Sequence, residues 1–342
     1  MALQDIIDAS ISGSGANRVG DRIDLGKETI DLDDTLQVAN SVNGMHISGR
    51  GRATTFRWLG ENDRPVFRFT DGNGCELSGV TVELVNPAST LVEMLDSGTG
   101  PVRSSHNTLR NLYVPDASGL LETFWRIGGG VDQKNDFIRG YDLDVAGCEV
   151  AVVVEGRHAL NQELYGCQFK GRTGGKTGIR TIGGGSVRIV GGALIQFTES
   201  AFDIDTRNGV AVMASGVHLE KCGRLISAPE PDTPGITTHI TILDGLRWGS
   251  DVSEIPPNGE IIDYSGGTLV VRGCWFWTGT PNATVYKFRY GTTQPIGDFV
   301  FEDCRVRASN AAGHWPGLAP NSVRGSLLYV GLADEPEPMP WS

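Results

Sequence analysis

The chain reads as an all-β solenoid, a stack of short coils none of which can bury its apolar face alone. Two observations predict it. Glycine is the compositional outlier, 47 of 342 residues with no collagen period, scattered through short β-branched runs, and this implies many turns between many short strands. The second is a pattern that recurs along the chain: apolar, any, then Gly, Asn or Asp, followed by apolar, any, apolar. It stands as "ISG" at 47, "LSGVTV" at 77, "LRNLYV" at 109, "IRGYDL" at 138, "LYGCQF" at 164, "IVGGAL" at 189, "ASGVHL" at 214, "LDGLRW" at 243, "VRGCWF" at 271 and "FEDCRV" at 301. A period of this size, strand-like throughout, marks a repeat architecture whose coils stack on one another.

Taken in order, residues 1–20 are a polar, Gly- and Ser-rich lead that suits a cap on the open end of the stack. The stretch "DRIDLGKETIDLDDTLQV" at 21–38 reads as a first coil, strand, turn and strand. The repeats follow, with bends at Gly49, Gly79, Asn111, Gly140, Gly166, Gly191, Gly216, Gly245, Gly273 and Asp303, spaced 25 to 32 residues apart. Gly, Asn and Asp suit a left-handed bend, where most side chains are costly. About ten coils at about 4.8 Å each would span on the order of 50 Å. The last segment, 331–342, ends "DEPEPMPWS", acidic and proline-rich. Its prolines predict an extended arm outside any sheet, and Trp341 in it is an unusual residue to leave in water.

With these elements the chain resembles the pectate-lyase-like right-handed parallel β-helix, over roughly residues 20–330. The first coil at 21–38 is similar to the usual opening of that fold, and "FTESAFDIDTRNGVAVMASGVHLEKC" at 197–222 is similar to coils of phage tailspikes and other virion surface proteins. The resemblance implies one β-helix domain, 21–330, between an N-terminal arm or cap and a C-terminal tail. The polygalacturonase motifs Asn-Thr-Asp, Asp-Asp, Gly-His-Gly and Arg-Ile-Lys do not occur, nor does the Arg-x-x-Pro setting of a lyase arginine. Folds of this kind host enzymes and structural proteins alike.

Aligning the repeats on their bends divides inside from outside, because alternate residues of a strand face opposite ways. One column inside holds Val80, Leu112, Tyr141, Cys167, Val217, Leu246, Cys274 and Cys304; Phe169, Trp248 and Phe276 belong to the next. Outside come Tyr113, Asp142, Gln168, His218, Arg247, Trp275 and Arg305, then Asp144, Lys170, Glu220, Trp277 and Arg307. So in "VRGCWFWTG" both indoles project outward among arginines. Indole and guanidinium together suit a buried subunit contact, a platform for a sugar ring, or a spot covered by a loop of the same chain.

Catalysis would need groups paired in space. Asp142 with Asp144 and Asp203 with Asp205 stand two apart, about 6.5 Å in a strand, a separation that fits glycoside hydrolysis. Alternating acid and apolar residues are also how a solvated strand reads. His218 and Glu220 share one outer face, where an imidazole beside a carboxylate suits a general base. The remaining histidines and the six separated cysteines lack metal-ligand spacing, so no metal or cofactor is expected and the cysteines read as small buried apolar residues.

A net charge of −12 without a basic patch argues against nucleic acid. Neither a signal peptide nor a membrane span is legible. The expectation is a structural protein of a phage virion, a capsid decoration (cement) protein or minimal tailspike, made in a host cytoplasm. It would form a homo-oligomer, a trimer, through outer faces carrying Trp275, Trp277, Arg247, Arg305 and Arg307, and through arms carrying Trp341, with capsid or tail proteins as partners. The alternatives are a hydrolase or lyase acting on a surface polysaccharide, and a non-catalytic glycan-binding module.

Overall fold

The structure is a computed structural model that describes residues 3–38, 42–99, 103–117, 119–129, 134–205, 209–228, 239–250, 262–264, 267–278, 287–288, 299–308, 323–324, 327–330 and 336–338. It is a parallel β-solenoid in which each coil lays one strand in each of three ladders. The first ladder is traced by Ile23, Ile47, Leu77, Leu109, Gly140, Leu164, Ile189, Ala214, Leu243, Val271 and Phe301, partners in register from coil to coil. The second runs through Gln168–Gly171, Ala193–Ile195, His218–Glu220, Arg247–Ser250 and Trp275–Thr278. The third includes Ala88–Leu95, Leu121–Gly128, Thr177–Gly184 and Ser200–Ile204. Three strands, Glu76–Leu84, Thr108–Val114 and Asp144–Arg157, turn a corner and serve two ladders each.

The core is the inside of this coil. Inward residues of the three ladders form one continuous apolar cluster, from Ile7 to Cys304. The corner between first and second ladders is a single residue in left-handed backbone: Gly79, Asn111, Gly166, Gly191, Gly216, Gly245, Gly273 and Asp303 all have φ between 51° and 64°. These are the residue types that tolerate the conformation. At the third connection polar side chains also stack: Asn73 donates to Asn43 at 3.1 Å and Ser105 to Asn73 at 3.0 Å, while Asn107 accepts the Cys75 N–H at 2.9 Å.

In one coil the bend is not at Gly140. Arg110 pairs with Tyr141 and Tyr113 with Asp144, so Asp142, at φ 51°, is the corner residue opposite Asn111. Leu143 then takes the inward place expected of Tyr141, which faces out. Gly140 is glycine for another reason: a Cβ there would lie 2.9 Å from Trp125, Leu143 and Leu164. The indole of Trp125, fully buried, fills the space that every other coil gives to a side chain of the first ladder. The first repeat departs too, since Gly49 is not left-handed and a 3-10 turn, Gly51–Ala53, is inserted before the second ladder.

The two ends differ from expectation. The lead contains a helix, Leu3–Ala9, with Asp5 in its first turn and Ile7 buried on the core, tied to the first coil where Gln4 donates to the Gln37 carbonyl at 2.9 Å. In the tail, Pro336–Pro338 pairs antiparallel with Leu328–Val330. Proline is tolerated there because an outermost strand can leave one side of its ladder unmade.

Candidate functional site

The face singled out by its tryptophans belongs to the second ladder. Its backbone register sets His218 beside Arg247, Arg247 beside Trp275 and Trp275 beside Arg305, with Glu220, Gly249, Trp277 and Arg307 in the adjoining row. Successive rungs are about 4.8 Å apart, so side chains in a row touch. Alternation sends Cys274 and Phe276 inward, each 1% exposed, and leaves Trp275 outward at 47%. The side chains of Trp277, Arg305 and Arg307, and Trp341 entirely, lie outside the described residues. His218 Nε2 stands 3.6 Å from Glu220 Oε2 on the same exposed face. Imidazole, carboxylate, guanidinium and indole thus meet solvent on three neighbouring coils.

The acid pairs are occupied otherwise. Asp142 sits in the corner and Asp144 on the ladder beyond it, so the two do not share one strand face as expected. Asp144 is the one in row with Tyr113 and Gln168. Asp203 accepts from Arg180 Nε at 2.9 Å, and Asp205 accepts the Gly183 N–H at 2.7 Å. The first is a rung-to-rung ion pair and the second closes a turn. Among the described residues no group of three or more His, Cys, Asp or Glu is placed to hold a metal, and no helix is long and apolar enough to cross a membrane.

The cysteines are packing residues. Burial pushes the thiols of Cys75 and Cys167 up to about 11 and that of Cys148 up to about 12, far from thiolate chemistry at neutral pH. Cys274 lies in register with Cys304, both inside.

Three features escape the repeat alignment. The first is an aromatic stack on the outer face of the first ladder: the Arg110 guanidinium lies 4.3 Å over Tyr141, whose ring stacks on Tyr165 at 5.3 Å and 9°. Arg52 covers Tyr113 at 4.1 Å in the same way. These ring faces are taken, and a sugar platform needs one open. The misplaced bend at Gly140 hid this stack by assigning Tyr141 to the interior. The second feature is an apolar stripe further along that face. Arg139, Glu163 and Arg188 are followed in register by Met213, Ile242 and Val270. Met213 is 42% exposed and Ile240, one strand position away from this row, 44%. Its signal was present: "ITIL" and "LVV" are apolar on both strand faces, where upstream coils alternate. The third is a cation cluster around Glu149, far apart in sequence and without a motif.

No protein-family model matches the chain. No curated protein matches it in sequence either.

Proposed function

We propose that this chain is a structural, self-associating β-solenoid, a trimer of the kind that decorates or spikes a phage virion, and not a polysaccharide-cleaving enzyme. The observation that carries the self-association is the pairing of two exposed faces at one edge. Trp275 and Arg247 on the second ladder, and Met213, Ile240, Ile242 and Val270 on the first, are separated by the single glycine corners Gly245 and Gly273. Apolar area on two faces that meet at an edge is what a rod needs to pack edge-inward around a common axis, each copy laying one face on the next copy's other face. The occupation of Asp203 and Asp205 supports the non-catalytic half of the reading. The virion setting is supported by the resemblance of residues 197–222 to tailspike coils.

Sedimentation equilibrium of the full chain at micromolar concentration tests it, with a trimer expected. Trp275→Ala and Met213→Asp should each shift the population toward monomer with the far-UV spectrum unchanged. A monomeric wild type, or an oligomer indifferent to both substitutions, would sink the proposal.

A further inference from the structure

Charges on the upstream outer faces are matched in pairs, and at one place the match fails. Glu149, 9% exposed, receives both Lys176 and Arg172. The hydrogen bond from Lys176, with the Arg172 charge added, holds its carboxyl below the usual carboxylate range. One carboxylate cannot neutralise two cations. Neighbouring Arg180 does not alter the balance, since it pairs with Asp203 at 2.9 Å. Asp116 and Lys170 nearby carry one charge of each sign. The group of Asp116, Glu149, Lys170, Arg172 and Lys176 therefore keeps one positive charge, in a chain whose net charge is −12.

That charge borders a concavity. A cleft of about 750 Å³ lies where the second ladder turns toward the third, lined by Asp116, Lys170, Arg172, Thr173, Gly174 and Gln196 among others. Its volume falls in the range of about 300 to 1,000 Å³ common to small-molecule sites. Arg172 is held in place before any ligand arrives: Nη1 donates to the Gly119 carbonyl at 2.9 Å and Nη2 to Glu149. A guanidinium fixed at two points loses little freedom on meeting an oxyanion, and its planar fork matches a carboxylate. Lys170 is exposed at the same wall. The other walls are amide, hydroxyl, carboxylate and glycine backbone, with no aromatic ring.

We propose that this cleft is a binding site for a polar monoanion of sugar size, chemically a sugar acid, whose carboxylate meets Lys170 and Arg172 and whose hydroxyls meet Asp116, Thr173 and Gln196. One net positive charge suits one carboxylate and not a polyphosphate. Polar walls suit hydroxyls and not an aromatic acid. The cleft is separate from the Trp275 face, so the site stands whether or not the chain self-associates.

Calorimetric titration of the full chain with glucuronate, glucose and inorganic sulfate tests the site, on wild type and on Lys170→Ala, Arg172→Lys, Gln196→Ala and Trp275→Ala. Glucuronate should bind about tenfold or more tighter than either comparator, a gap of about 1.4 kcal/mol. Lys170→Ala and Arg172→Lys should each weaken it about tenfold, Gln196→Ala less, and Trp275→Ala not at all. Lys170 is exposed, so its variant should keep the wild-type melting temperature and give a clean reading if Arg172→Lys is unstable. Any of four results would overturn the proposal: no heat with glucuronate; equal binding of glucose; sulfate as tight as glucuronate, an adventitious ion only; or dependence on Trp275 instead of Lys170.

Discussion

The coils before Gly192 and those after it are built on the same ladders and finish their outer faces in opposite ways. Upstream, charges answer each other from rung to rung: Asp31 with Arg57, Glu93 with Arg68, Glu163 with Arg139 and Asp203 with Arg180 are register partners at 2.7 to 3.1 Å. The aromatic rings there stack on one another or under arginines. Downstream, the row that held Arg139, Glu163 and Arg188 continues as Met213, Ile242 and Val270, and the exposed indole of Trp275 stands around the corner. Asp244 with Arg272, at 3.5 Å, remains as a described in-register pair. A surface whose groups satisfy each other offers little to a partner, whereas apolar residues at both strand parities leave area that only another surface can remove from water. One half of the rod is finished alone; the other half is finished by contact.

The division is broken most directly from inside the upstream half. Trp125→Ala should cost about 3 to 5 kcal/mol of stability, seen as a lower denaturant midpoint, while the subunit number at saturating concentration stays that of the wild type. If it dissolved the oligomer without destabilising the fold, the upstream half would be the contact surface. Next in size is Trp275→Ala, which should weaken association by about 2 kcal/mol, roughly 30-fold, at unchanged melting temperature extrapolated to monomer.

A smaller effect sharpens the upstream half electrostatically. Because the Glu149 carboxyl is held below its ordinary value, its ion pairs stabilise the fold above the unfolded-state value of 4.5 and are lost as pH falls through the folded one. Glu149→Gln should therefore be less stable than wild type by on the order of 1 kcal/mol at neutral pH, with the two unfolding curves converging in acid. A gap that is constant with pH would mean the carboxylate does nothing there. Smallest is the Arg139–Glu163 pair: a double-mutant cycle should return about 0.5 kcal/mol at low salt and nearly nothing at high salt. A larger coupling, insensitive to salt, would mark that face as covered.

The ladder corner and the inward rows were legible because they depend on one residue's backbone tolerance and on alternation, both local. Cys167, Cys274, Leu219 and Phe276 are inside as the repeat places them. The misreading at Gly140 shows the limit. Two residues there, Gly140 and Asp142, are each able to occupy left-handed backbone, and the choice was made by Trp125, a residue of another ladder that needs the room. The helix Leu3–Ala9 is one short amphipathic turn pair without a periodic stretch to announce it. The Glu149 cluster draws its members from strands and turns 23 and 27 residues apart, the |i−j| of its two ion pairs, and nothing local relates them. Contacts between ladders, unlike contacts along one strand, leave no spacing to read.

The one-residue corner has a bearing on how such a chain can change. From Gly79 to Asp303 its length never varies, while the distance between successive corners ranges from 24 residues, Asp142 to Gly166, to 32, Gly79 to Asn111. All lengthening and shortening is thus absorbed at the other two bends of each coil. A foreign peptide spliced there should be carried as an outward decoration at a chosen height on the rod, whereas even one extra amino acid beside a corner glycine would turn every following side chain of that strand inside out.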